Sequence, residues 1–89
     1  MKTLADIKRR AQVGVALEII FRQGAPVGAP PIPRTIKQVL PSKIIMSPWP
    51  GKANDSELAW PAASEIRIDG PDTFTVLEDG APVLTYRFV

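Results

Sequence analysis

The chain has 89 residues, 45% hydrophobic and 22% charged, with a formal net charge of +2; this suits one compact core in a single domain, residues 1–89, and is too short for a deep catalytic cleft. Cysteine and histidine are both absent, which excludes disulfides, thiolate and imidazole metal sites, and the Ser-His and Cys-His nucleophile pairs. Neither a metal nor a cofactor is expected, and a binding role is expected in place of catalysis.

Ten prolines and six glycines scattered along the chain divide it into many short elements joined by turns, a β pattern. Thr3 and Asp6 have the spacing of a helix cap, so a short helix is expected over about residues 4–11,. Leu4, Ile7 and Ala11 share its inner face, and Lys8, Arg9 and Arg10 point outward near its C-terminal end, where cations suit the helix dipole. Residues 15–23 alternate, with Leu17, Ile19 and Phe21 on one face and Glu18, Ile20 and Arg22 on the other, as in a strand,. Residues 24–33, GAPVGAPPIP, lack regular donors and are expected to run as an extended, polyproline-like surface loop,.

Residues 35–40 and 43–47 read as a hairpin around Pro41-Ser42, and residues 48–56 as a second exposed loop rich in breakers,. Short strands are expected at 57–60, 64–68, 73–77 and 83–89, with turns at 69–72 and 78–81,. Gly80 is available for the positive φ of a bulged hairpin. Leu84, Tyr86 and Phe88 fall on the core side, and Trp60 alternates with Leu58 onto the same face. The architecture expected is mainly β: a small SH3-like barrel or a strongly bent antiparallel sheet with a short N-terminal helix. Met1 opens a polar stretch and no apolar run is long enough to span a bilayer, so a cytoplasmic protein with no membrane contact is expected,.

Three segments, Trp60-Pro61-Ala62-Ala63-Ser64-Glu65, Phe74-Thr75-Val76-Leu77-Glu78-Asp79-Gly80 and Leu84-Thr85-Tyr86-Arg87-Phe88-Val89, together resemble the ending of small uncharacterised accessory proteins encoded by bacteriophages and prophages. The resemblance covers the last third of the chain. It implies an accessory role in a bacterial host cell, such as inhibition of a host defence system by binding a host protein.

Charge is unevenly distributed: residues 1–52 hold nine Lys/Arg against two acids, and residues 53–89 two against seven. One reading is a basic surface for nucleic acid, using Lys8, Arg9, Arg10, Arg34, Lys37 and Lys43; the other is that neighbouring strands bring the two halves together and neutralise them. Phe21, Phe74, Tyr86 and Phe88 all fall on inferred core faces, which leaves little for stacking bases. Trp49 stands between Pro48 and Pro50, outside any alternating pattern, and reads either as a binding anchor or as a lid over one end of the barrel. With Arg34 and Lys52 it forms the candidate site for a protein partner. A pocket for small anionic ligands such as nucleotides is a third reading, requiring oligomerisation to supply concavity. The acid pairs Asp69/Asp72 and Glu78/Asp79 sit beside glycines and read as turn residues.

Overall fold

Each segment takes the form its local chemistry favours, as seen in a computed structural model of the chain that describes residues 1–26 and 28–89. Asp6 donates its backbone N–H to the Thr3 hydroxyl, while Thr3 donates its own to the Asp6 carboxylate. This reciprocal cap starts helix α1, Leu4–Arg10,. The helix turns Ile7 fully inward, with Ala11 buried just past its end. Gly14, at φ +90°, then bends the chain into β1, and its N–H donates to the Ile36 carbonyl at 2.8 Å,.

Seven strands follow: β1 Ala16–Phe21, β2 Ile32–Val39, β3 Lys43–Met46, β4 Ser56–Ala59, β5 Ile66–Ile68, β6 Thr73–Glu78 and β7 Ala81–Phe88. They pair antiparallel in one sheet of order β4-β3-β2-β1-β7-β6-β5, curled into a half-barrel. Of the two architectures the sequence supports, the strongly bent antiparallel sheet with a short N-terminal helix is the one observed. Two meanders, β1–β4 and β5–β7, meet where β1 pairs β7. The inner face carries the core: Leu17 and Ile19 from β1, Ile36 from β2, Ile44 and Met46 from β3, Leu58 from β4, Phe74 from β6, and Tyr86 and Phe88 from β7. Phe74 stacks on Tyr86 with ring centroids 5.1 Å apart,.

Several boundaries depart from expectation for identifiable reasons. β2 begins at Ile32, inside the stretch read as loop, because Pro33 faces Glu18 and Ile32 faces Ile19 in register with β1; Val27, also in that stretch, lies outside the described residues. Residues 63–65 form a 3-10 turn ahead of a three-residue β5, where a strand was expected from 64. The β6–β7 turn has Asp79 at φ +52° and Gly80 at φ +80° between the facing pair Glu78 and Ala81. That is a two-residue type I′ turn, the form whose twist suits a hairpin; the bulge expected at Gly80 lies instead between Val76 and Leu77. Trp60, read as core, is only half-buried against it.

Candidate functional site

The register of β2 on β1 decides what Arg34 does. Leu17 faces Arg34 and Ile19 faces Ile32, and directly opposed residues share a face. Arg34 therefore points to the inner face, between Ile32 and Ile36, where an aliphatic residue would be ordinary. Its Nη1 donates to the Pro33 carbonyl. Its Nε and Nη2 are closed off from solvent and, among the described residues, have no acceptor.

What lies over the guanidinium is Trp49, with the Arg34 guanidinium carbon 5.1 Å from the ring centroid. The loop that carries Trp49 is fixed at its base. Thr35 donates its N–H to the Ser47 hydroxyl, Ser47 returns its N–H to the Thr35 carbonyl, and buried Ser56 donates its hydroxyl to the Ser47 carbonyl at 2.7 Å. The Lys52 N–H then donates to the Trp49 carbonyl at 2.9 Å across Pro50 and Gly51, with Gly51 at φ +77°. Proline then glycine at the centre of such a turn is the type II arrangement. The half-buried Trp49 ring also meets Phe21, centroids 5.4 Å apart and planes inclined by 46°. Alternation places Phe21 on the core face, but it is the last residue of β1 and stays 40% exposed. It is the member of the site that alternation alone missed; its place at the end of a strand, ahead of Arg22-Gln23-Gly24, is the signal for it.

The site is an aromatic corner built on a cation: Arg34 beneath Trp49, Phe21 beside it, and exposed Lys52 closing the turn. Phe21 faces Leu84 at one end of the sheet, whereas Leu17 faces Phe88 at the other, about 13 Å away at the rise of a strand. α1 occupies that far end, where Arg10 lies over the Phe88 ring and donates to the Asp72 carboxylate. Beside Phe21 is a hollow of about 220 Å³ lined by Ile20, Arg22, Ala25, Pro26, Gly28 and Ala29, below the usual volume for a small-molecule site. A wider hollow of about 410 Å³ adjoins α1, but Arg9 and Arg10 along it are taken up by Asp6 and Asp72.

The six basic residues considered for nucleic acid do not form a free surface. Arg9 pairs with Asp6, Arg10 with Asp72, Lys37 with Asp55 and Lys43 with Glu57, while Lys8 stands over the Trp60 ring and Arg34 under Trp49. Three of these pairs join the basic half to the acidic half, as does Arg87 with Glu18, so strand pairing mixes charges that are segregated along the chain. Six of the nine acids, Asp6, Glu18, Asp55, Glu57, Asp69 and Asp72, are engaged as well. Burial raises the Asp69 carboxyl, but hydrogen bonds from Thr75 and Arg67 and the charges of Arg67 and Arg22 outweigh it, holding the group below the ordinary aspartate value,. Such a carboxylate is badly matched to proton transfer near neutral pH. Among the described residues no cluster of acids is placed to hold a metal, and no helix is long and apolar enough to cross a membrane. Compared with protein-family models, with curated proteins and with solved structures, the chain has no match.

Proposed function

We propose that this protein is a non-enzymatic binding module that engages a protein partner through the corner formed by Phe21, Trp49 and Arg34. The observation that carries the reading is the Arg34 guanidinium, set on the inner face beneath a partly exposed tryptophan, with two nitrogens that have no acceptor among the described residues. Tryptophan and arginine are the residue types that most often dominate interface energetics, especially at the edge of desolvated pockets. A protein partner is favoured over nucleic acid because four of the six basic residues considered for it, Arg9, Arg10, Lys37 and Lys43, are paired with acids and the Phe21 and Trp49 rings are inclined, giving no parallel stacking platform,. The phage-borne role implied by the C-terminal resemblance fits this reading: an accessory protein that binds a host protein, with inhibition of a host defence system as one form of that role.

The test is capture from a bacterial lysate with wild type, Trp49→Ala and, as a control, Val13→Ser at an exposed apolar position between α1 and β1. Wild type and Val13→Ser should retain the same protein with or without nuclease. Trp49→Ala should lose about thirtyfold or more in affinity, the cost of an anchor worth roughly 2 kcal/mol. Retention by Trp49→Ala, or capture that disappears on nuclease treatment, contradicts the proposal.

A further inference from the structure

Resting on the reading of this corner as a binding site, we infer that what it accepts is a side-chain carboxylate, from an aspartate or glutamate flanked by apolar residues in the partner protein. A guanidinium is a permanent cation whose planar fork matches a carboxylate with two parallel hydrogen bonds. In Arg34 the Nε and Nη2 edge that would make such a bidentate contact is the edge without an acceptor among the described residues. The acids that might have served it are engaged elsewhere: Asp55 with Lys37, Glu57 with Lys43, and Glu18 with Arg87. Complementary charge must then come from outside.

The Trp49 ring lies over the guanidinium from a loop whose backbone is pinned at Ser47 and at the Trp49–Lys52 turn. Side-chain rotation is therefore the way it opens. As the carboxylate arrives, the ring swings off the guanidinium and remains against Phe21, and the partner's apolar flank takes its place. A chain-terminal carboxylate is disfavoured, because capture of a terminus draws on a run of free backbone N–H groups and the strand carrying Arg34 offers Pro33, which has none, at the adjoining position,. Phosphate is the competing ligand, because its higher charge calls for a second cation and exposed Lys52 closes the Trp49 turn beside the guanidinium,.

The experiment follows Trp49 fluorescence in a Trp60→Phe background, which leaves one tryptophan. The probes are an equimolar pool of N-acetylated, C-amidated pentapeptides with a central glutamate, the same pool with a central glutamine, and inorganic phosphate. The glutamate pool should shift the emission and bind at least tenfold more tightly than the glutamine pool. Arg34→Gln should erase that difference, and Arg34→Lys, which keeps the charge without the fork, should lose most of it. Equal binding of the two pools, abolished by Phe21→Ala, overturns the carboxylate while leaving the corner as a binding site. Phosphate binding as tightly as the glutamate pool overturns it in favour of a phosphorylated ligand. No response to either pool, or a response unchanged by Phe21→Ala, overturns both readings.

Discussion

At the scale of single residues, burial sets the chemistry of Tyr86. It is the only tyrosine in the chain, it is 1% exposed, and loss of solvation pushes its phenol up to about 12 from the usual 10,. In the unfolded chain the phenol ionises near 10, whereas in the folded protein it keeps its proton until higher pH, so this contribution to stability is intact below 10 and is lost between 10 and 12. The size of the loss is about 2–3 kcal/mol. Thermal melts across this range should show a decline that Tyr86→Phe reduces, and a phenolate absorbance titration should place the folded midpoint near 12. A midpoint near 10 in protein that is still folded would show the phenol to be solvated.

The two tryptophans show how much of the single-residue picture the sequence makes legible. Trp49, isolated among prolines, stands out as special from its neighbours alone, and in the fold it packs against the core and lies over Arg34. Arg34 stands out less, because its meaning depends on pairing with Leu17. The spacing of Ile32, Arg34 and Ile36 has the period of a strand, but three prolines in the four residues 30–33 argue for a loop,. Pro33 is tolerated in β2 close to the strand's start, so the ladder begins earlier than local propensity indicates.

At the scale of elements, the outer face of the sheet is tied by a chain of hydrogen bonds. Arg22 donates to the Thr85 hydroxyl at 2.9 Å, Thr85 and Thr75 share a bond of 2.8 Å, Thr75 donates to the Asp69 carboxylate, and Arg67 donates to the same carboxylate at 2.7 Å. Each hydroxyl has one proton, so with Thr75 committed to Asp69 the direction is set: Arg22 to Thr85 to Thr75 to Asp69. The chain links β1, β7 and β6 to the turn after β5, the short edge strand that otherwise depends on β6 alone. Thr75 is wholly buried, and Thr75→Val leaves its partners short of a bond at little change in volume, at an expected cost of about 1–3 kcal/mol. Hydrogen exchange should quicken first in β5; unchanged protection there would mean that the edge is held by packing alone. The elements themselves were largely legible from alternation and turn chemistry, as in β1 and β7. The 3-10 turn at 63–65 was not, because Ala-Ser-Glu carries no strong local preference and the form follows from the span between β4 and β5.

At the scale of the whole molecule, the curled sheet leaves two edges, β4 and β5, both short, which limits edge-to-edge association,. α1 covers the end of the curl at Phe88 and Phe21 stands at the other, while Arg34 springs from the level of Leu17 and Trp49 contacts both its guanidinium and Phe21. Exposed ion pairs joining the two halves of the chain contribute about 0–1 kcal/mol each; they set Arg10, Lys37, Lys43 and Arg87 against acids from the other half, so the segregation of charge along the chain is not carried into the fold.

The central claim is that Arg34 is kept on the inner face for binding and not for folding, and it is tested most directly by the thermal midpoint of Arg34→Met. Methionine matches much of the arginine stem, gives up a cation–π contact with Trp49 and removes a buried charge with unmet donors. If the charge is a cost borne for a partner, the variant should be more stable by on the order of 1 kcal/mol, which in a domain of this size raises the midpoint by about 4–8 °C. A midpoint lowered by as much would show that the guanidinium supports the fold, and would contradict the claim.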